Sequence, residues 1–138
     1  MRLYLDSSAL TRRSLEEPES GALESVLDAY VAADDELYAS SLAWIEVSRA
    51  IRRARTAPYG PTELSEAVDV AMSGITERPI TLDVVGPARR LPPDGLRSLH
   101  AVHLATAILL NVDAMVTYDA RLTSACQDAG LAVLAPGR

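Results

Sequence analysis

Short apolar segments alternate with longer segments of helical periodicity along the whole chain, and this alternation constrains the fold more than any other feature. The predicted strands cover residues 3–5, 36–39, 79–82, 112–117 and 131–134. The predicted helices cover residues 20–33, 41–55, 62–72, 99–110 and 119–129, and two shorter ones begin at residue 9 and end at residue 91. Strands that alternate with helices predict an α/β domain with a mainly parallel central sheet.

Hydroxyl residues stand before several of the predicted helices and indicate where each begins, because their side chains accept hydrogen bonds from free N–H groups of the first turn. The expected caps are Ser7 or Ser8, Ser40 or Ser41, Thr62 and Ser98. A break between two helices is predicted at Pro58, Gly60 and Pro61, and Gly130 is expected to close the last helix.

Size and composition predict a single soluble domain over residues 1–138. A chain of 138 residues with 49% hydrophobic and 23% charged residues is long enough to bury a core without covalent cross-links. Cys126 is the single cysteine, which excludes an internal disulfide and favours a cytoplasmic setting. The most apolar stretch, residues 99–118, contains two histidines, an asparagine and an aspartate, so no membrane association is expected.

The charge distribution excludes a generic nucleic-acid-binding protein but leaves local phosphate binding open. The net charge is −6, whereas non-specific binding to nucleic acid relies on a positive field. All thirteen basic residues are arginine, which suits bidentate contact with phosphate. They cluster at residues 12–13, 49–55 and 89–97. Solvated helix faces explain such clusters equally well, so the sequence assigns no single arginine to phosphate.

Four polar residues stand where burial would be costly unless they are paired, hydrogen-bonded or bound to a cation: Asp6, Glu46, His100 and Asp119. Asp6 and Asp119 each follow a predicted strand, and Glu46 and His100 each lie in the first turns of a predicted helix. Because functional groups of parallel sheets collect at the carboxyl ends of the strands, all four are expected at one edge. Their convergence there predicts a metal site.

Structural roles compete with this interpretation and can coexist with it. Asp6 and Asp119 suit a turn or a helix cap, and Glu46 suits the positive end of a helix dipole. His103 is expected to be a hydrogen-bonded, partly buried histidine rather than a ligand, and Ser7 to be a cap and a partner of Asp6. Packing is the expected role of three further residues, Trp44, Tyr118 and Cys126.

A family resemblance extends over nearly the whole chain. It rests on residues 4–10, 17–20, 40–50, 96–107 and 116–122, taken in that order. Together these segments resemble the motifs of PIN-domain ribonucleases, and more narrowly those of the VapC toxins of bacterial toxin–antitoxin pairs. The resemblance implies a three-layer α/β/α PIN-like domain that cuts RNA with a divalent metal, Mg²⁺ or Mn²⁺. It also implies a VapB-like antitoxin as partner and a homodimer.

By position, Asp6, Glu46 and Asp119 match acidic metal-site residues of that family, and His100 stands where the family usually has aspartate. Carboxylates suit Mg²⁺, which activates water and neutralises phosphate charge in phosphodiester hydrolysis. A histidine there has three possible consequences: a weaker Mg²⁺ site with a shift towards Mn²⁺ or Zn²⁺, a proton donor to the leaving oxygen, or an inactive site.

The predicted function is therefore a metal-dependent endoribonuclease toxin that an antitoxin inhibits. A basic antitoxin segment is expected to cross the acidic groove, where its arginine replaces the cation beside Asp6, Glu46 or Asp119. The alternative is a catalytically silent PIN domain that binds the antitoxin, with or without RNA, and does not cut. A phosphoryl-transfer signalling domain is a weaker alternative, because it requires paired acids after the first strand and a lysine.

Overall fold

The computed structural model describes residues 1–54 and 60–138. The predicted end of a helix at Arg55 and the predicted break at Pro58 therefore fall outside the described residues. The elements are β1 (Arg2–Leu5), α1 (Ser7–Thr11), α2 (Ser20–Ala32), β2 (Glu36–Ser40), α3 (Leu42–Ala54), α4 (Pro61–Met72), β3 (Thr76–Arg78), α5 (Leu82–Ala88), α6 (Ser98–Leu109), β4 (Ala114–Val116), α7 (Ala120–Asp128) and β5 (Ala132–Leu134). Within the described ranges, no helix combines the length and the apolar character needed to cross a membrane.

The five strands form one sheet in the order β3-β2-β1-β4-β5, and every neighbouring pair is parallel. This confirms the predicted α/β class. The chain begins in the middle of the sheet, adds β2 and β3 on one side, and then crosses over to add β4 and β5 on the other. The order reverses between β1 and β4, and such a reversal opens a crevice at the carboxyl ends of the two strands. Asp6 follows β1 and Asp119 follows β4, so both lie at this crevice.

Helices cover both faces of the sheet, which confirms the three-layer architecture. Because side chains alternate along a strand, Leu3 and Leu5 of β1 pack on one face and Tyr4 packs on the other. Buried residues of α1, α2, α3 and α4 share the core of the first face, and those of α6 and α7 share the core of the second. Cys126 is fully buried in the second core, as its packing role predicted.

The strand predicted at residues 79–82 is wrong. The third strand is Thr76–Arg78, which pairs with β2 from Tyr38↔Thr76 to Ser40↔Arg78. It is an edge strand of polar, largely exposed residues, so it lacks the apolar signal by which buried strands are recognised. The apolar character of the next segment does not reflect burial, since Leu82 is 87% exposed and begins α5.

Several helix caps also differ from prediction. The cap of α1 is Asp6 and not Ser7 or Ser8, because the Asp6 carboxylate accepts the Ala9 N–H. Gly60 precedes α4 in place of Thr62, with Pro61 as the first helical residue, and Arg97 precedes α6 in place of Ser98. The prediction for α3 is confirmed, since the Ser40 hydroxyl accepts the Leu42 N–H at 3.1 Å.

Candidate functional site at the β1–β4 crevice

All four predicted site residues line one cleft of about 590 Å³, which opens at the crevice between β1 and β4. Asp6 enters it from the end of β1 and Asp119 from the start of α7, while Glu46 comes from the second turn of α3 and His100 from the first turn of α6. The predicted convergence is therefore present in the fold. Each side chain has distinct surroundings.

Asp6 lies at the bottom of the cleft and is only 2% exposed. Its Oδ1 accepts hydrogen bonds from the Ser8 hydroxyl at 2.7 Å and the Ala9 N–H at 3.1 Å, and its Oδ2 accepts one from the Thr117 hydroxyl at 2.7 Å. Burial raises the pKa of this carboxyl above its usual range, although these hydrogen bonds to Ser8, Ala9 and Thr117 oppose the effect. Asp6 is thus both a helix cap and a carboxylate held in one orientation.

Two hydroxyls that sequence analysis did not assign to the site fix Asp6. Ser7 was the predicted partner, but Ser8 and Thr117 make the bonds. Ser8 Oγ also accepts the Tyr118 N–H at 2.9 Å, and Thr117 Oγ1 accepts the Asp119 N–H at 3.1 Å. The two hydroxyls therefore connect the segments that follow β1 and β4. The available signal was their spacing, because each lies two residues from a predicted site acid.

Glu46 is held by a chain of buried hydrogen bonds. His103 is 1% exposed, and its Nε2 lies 2.5 Å from Glu46 Oε1. On the other side of the ring, Nδ1 lies 2.7 Å from the Tyr4 hydroxyl. That hydroxyl accepts the Ser40 N–H at 3.1 Å. Burial raises the pKa of Tyr4, so its hydroxyl keeps its proton. We expect that proton to be donated to His103 Nδ1, which would leave the imidazole proton on Nε2, facing Glu46. The expectation that His103 is hydrogen-bonded is confirmed, although its burial is complete and not partial.

Asp119 and His100 face each other across the cleft. Asp119 Oδ1 caps α7 by accepting the N–H groups of Arg121 and Leu122, both at 2.9 Å. Its Oδ2 lies 3.6 Å from His100 Nε2, which is the separation of an ion pair when the imidazole is protonated. His100 Nδ1 is buried and has no hydrogen-bond partner among the residues that the structure describes. The capping role and the position in the cleft therefore coexist at Asp119.

The donor set fits a hard divalent cation that is only partly coordinated by protein. Across residues 1–54 and 60–138, no group of three His, Cys, Asp or Glu side chains is arranged to hold a metal ion by itself. Mg²⁺ commonly uses one or two carboxylates and takes its other oxygen ligands from water and substrate phosphates. Asp6, Glu46 and Asp119 supply carboxylate oxygens of this kind around one cleft. Metal binding by these residues and by His100 stays a prediction.

The predicted packing roles of the two aromatic residues agree with the structure. Tyr118 is 7% exposed, its hydroxyl donates to the Pro136 carbonyl, and the Arg12 guanidinium stacks 4.3 Å from its ring centroid. Trp44 packs against the first core. Asp113 accepts the Arg2 N–H at 2.7 Å at the opposite end of the sheet, so it is not part of the cleft.

The family model of the PIN domain matches residues 3–127 of this chain. The chain belongs to the PIN-domain family. Among curated relatives, it is 36% identical over 137 residues to ribonuclease VapC47 of Mycobacterium tuberculosis (strain CDC 1551 / Oshkosh), an alignment that covers 98% of this chain and 97% of the relative. It is also 36% identical over 137 residues to ribonuclease VapC46 of M. tuberculosis (strain ATCC 25618 / H37Rv), with 97% of each chain covered. The resemblance to VapC proteins is therefore confirmed.

Solved structures share the PIN fold with this chain. The M. tuberculosis VapC20 toxin, which cleaves the sarcin–ricin loop, superposes with a TM-score of 0.72 at 13% identity and covers 97% of this chain and 99% of its own. VapBC2 from Rickettsia felis, bound to a DNA fragment from its promoter, gives a TM-score of 0.74 at 12% identity and covers 97% and 98%. At these identities the likeness shows the fold alone.

Proposed function

We propose that this PIN-domain protein is a divalent-metal-dependent endoribonuclease of the VapC type, which hydrolyses RNA phosphodiester bonds in the cytoplasm and is inhibited by a VapB-like antitoxin. The observation that carries the proposal is the cleft at the β1–β4 crevice, where the acids of separate motifs meet. The 36% identity to proteins named ribonucleases over nearly the full chain supports RNA as the substrate.

We assign two roles to the residues of the cleft: some would bind the metal, and others orient the carboxylates that bind it. Asp6, Glu46 and Asp119, together with His100, would hold Mg²⁺ or Mn²⁺, which when bound supplies charge neutralisation and an activated water for phosphodiester hydrolysis. Ser8 and Thr117 keep the Asp6 carboxylate oriented. His103 occupies Glu46 Oε1, so Oε2 is the oxygen that we assign to the cleft. These bonds fix the carboxylates before a metal or substrate binds, which is the arrangement that catalysis favours.

His100 supports a second candidate function, a silent PIN domain that binds its antitoxin without cutting RNA. When His100 is protonated, it forms an ion pair with Asp119 across 3.6 Å. That pair removes negative charge from the cleft and so weakens the attraction for a divalent cation. Aspartate at the same position would add negative charge instead. RNA cleavage by the His100→Asp variant therefore distinguishes the two candidate functions. It shows whether the natural site is active with histidine or has been inactivated by it.

RNA cleavage by the purified, antitoxin-free protein tests the proposal, with Mg²⁺ or Mn²⁺ and with Asp6→Ala and His100→Asp as variants. Activity of the wild type that disappears in Asp6→Ala is the expected result and establishes a nuclease that works with His100. Cleavage only by His100→Asp would support the silent domain. Inactivity of all three proteins on total cellular RNA with either metal would contradict a ribonuclease of this kind.

The partners are tested in cells and in solution. Expression without an antitoxin is expected to arrest bacterial growth, and coexpression of a VapB-like antitoxin is expected to restore it, while Asp6→Ala should cause no arrest. A homodimer would show a mass of twice 14.8 kDa in light scattering. In a complex with the antitoxin, an arginine of the partner is expected beside Asp6, Glu46 or Asp119. Solvent alone around those carboxylates would contradict that mode of inhibition.

A further inference from the structure

A row of residues on α3 faces the cleft and joins Glu46 to two arginines. Glu46, Arg49 and Arg53 are separated by three and then four positions, so they lie on one face of the helix, and all three line the cleft. Along the helix axis, Arg49 is about 4.5 Å and Arg53 about 10.5 Å beyond Glu46. Arg52 belongs to the same helix and is exposed, but it is not among the residues that line the cleft.

Arg49 and Arg53 have no carboxylate to neutralise them among the described residues, a property that they share with Arg52, Arg89, Arg90, Arg97 and Arg121. In residues 1–54 and 60–138, neither Arg49 nor Arg53 forms an ion pair with a carboxylate. The arginines that do form ion pairs are Arg2, Arg12, Arg13, Arg78 and Arg138.

Arg12 is the third arginine of the cleft, and its guanidinium is already engaged. Its Nε lies 3.3 Å from Glu19 Oε2, its Nη1 donates to the Ser8 carbonyl at 2.9 Å, and its guanidinium stacks on Tyr118. These contacts fix Arg12 as part of the wall. Arg49 and Arg53 are exposed, so their guanidinium groups are available to an anion that enters the cleft.

The apolar part of the same cleft indicates the form of the nucleic acid. Ile45 is 64% exposed and Leu99 is 50% exposed, and both line the cleft beside Glu46 and His100. Bases can contact such side chains only when they are unstacked and unpaired, as in single strands and loops. A rigid duplex presents its phosphates and keeps its base faces inside.

We propose that Arg49 and Arg53 form a phosphate-binding track for single-stranded RNA, which runs along α3 away from Glu46. The proposal rests on the proposed ribonuclease function, since it names the residues that bind the substrate of that same site. Each guanidinium would contact a different phosphate on the same side of the cleaved bond, in the bidentate geometry that suits arginine. The bases would lie towards Ile45 and Leu99.

The test measures binding of a short, fluorescein-labelled, single-stranded RNA by fluorescence anisotropy at several salt concentrations, with Mg²⁺ present. All proteins carry Asp6→Asn to prevent cleavage. To this background we add Arg49→Ala, Arg53→Ala, or Arg52→Ala as the matched control, which removes the same charge from the same helix. Arg49→Ala and Arg53→Ala are each expected to weaken binding about tenfold. Each should also reduce the slope of log affinity against log salt by about 0.7, the value for one phosphate contact to a single strand.

Arg52→Ala should leave both the affinity and the slope unchanged. An equal effect of Arg52→Ala and Arg49→Ala would overturn the track, because the arginines would then act only through the overall field. Equal binding of an RNA duplex would overturn the assignment to single strands. Cleavage is measured in parallel with proteins that retain Asp6, namely the natural protein and the same three arginine variants made in it. Cleavage that persists unchanged in Arg49→Ala and Arg53→Ala would overturn the track and leave the ribonuclease function standing. Absence of both binding and cleavage in the natural protein would overturn both.

Discussion

Asp6 combines a position in the candidate site with an energetic cost to the folded chain. Its carboxylate is 2% exposed, and burial raises its pKa. The folded protein therefore binds the carboxyl proton of Asp6 more tightly than the unfolded chain does. As pH rises from the usual pKa of an aspartate to the raised pKa of Asp6, the contribution of Asp6 to stability falls. Active-site residues commonly oppose stability in this way.

We expect Asp6→Asn to increase the free energy of unfolding at neutral pH while it abolishes RNA cleavage. Asparagine keeps an oxygen for the Ser8 and Ala9 donors and carries no charge that burial would penalise. The gain should be small at low pH, where Asp6 is protonated in both states, and should grow with pH until it levels off above the raised pKa. Urea denaturation across the pH range measures it. Lower stability of Asp6→Asn than of the natural protein at neutral pH would contradict this account. The control is Asp119→Asn, which should change stability little because the Asp119 side chain is 36% exposed.

The Tyr4 hydroxyl is expected to determine which nitrogen of His103 carries the proton. Tyr4→Phe leaves the Ser40 N–H and His103 Nδ1 without their buried partner, which should cost about 1–3 kcal/mol of unfolding free energy. In ¹⁵N NMR spectra, Nδ1 of the natural protein should be unprotonated and Nε2 protonated, and Tyr4→Phe should shift this balance. The control is Tyr38→Phe, whose lost hydroxyl bond to Glu36 is exposed, so stability should change by less than about 0.5 kcal/mol. A protonated Nδ1 in the natural protein would refute the assignment.

Residue types at strand ends and helix starts were sufficient to predict that the four candidate residues meet at one cleft, but not how their side chains are held there. The sequence placed Asp6 beside Ser7 and Ser8 alike, and only the direction of the first turn of α1 selects Ser8. The bonds from Thr117 to Asp6 and from His103 to Glu46 join positions 111 and 57 residues apart. Contacts of this range follow from packing of the layers, which periodicity in a single sequence does not specify.

At the scale of elements, the strands with buried side chains were predicted correctly from the sequence, whereas the exposed edge strand was not. The strands β1, β2 and β4 contain apolar residues buried in the two cores and were found near their observed positions. The edge strand β3 is held by backbone bonds to β2 and has polar, mostly exposed side chains, so its pattern resembles that of a loop. Helix ends were located less well than helix centres, because Gly60 and Arg97 precede helices without a side-chain cap.

Gly130 was expected to close α7, and its backbone conformation explains why glycine is favoured at this position. Its φ is +77°, a conformation that costs other residues about 1 kcal/mol. We expect Gly130→Ala to lower the unfolding free energy by about 1 kcal/mol, although no atom lies within 4 Å of the added methyl group. Gly21→Ala is the matched control, because Gly21 lies in α2 with equally open space and should gain roughly 0.5 kcal/mol. Thermal unfolding of the two variants would contradict this explanation if both changed Tm in the same direction.

At the scale of the molecule, the reversal of strand order makes the site depend on the whole fold. The cleft takes side chains from α1, α3 and α6, together with Asp6, which follows β1, and Asp119, which precedes α7, so its residues span positions 6 to 119. The unfolded chain has no equivalent arrangement, so an ion that binds in the cleft binds only the folded protein. Ligand binding of this kind raises stability in proportion to RT ln(1 + [L]/Kd).

Divalent metal should therefore stabilise the fold, and the effect should report on His100. At a Mn²⁺ concentration one hundred times its Kd, the expected gain is about 2.7 kcal/mol, or roughly 10 °C in Tm.

His100→Asp should lower stability by about 1 kcal/mol without metal, because it places a carboxylate where an imidazole now lies 3.6 Å from Asp119. It should respond more strongly than the natural protein to Mg²⁺, since it adds an oxygen ligand and a negative charge. Asp6→Ala should not respond to either metal. If Mn²⁺ and Mg²⁺ left Tm unchanged in both the natural protein and His100→Asp, the cleft would not be a metal site, and the acids would serve the fold as caps and hydrogen-bond acceptors alone.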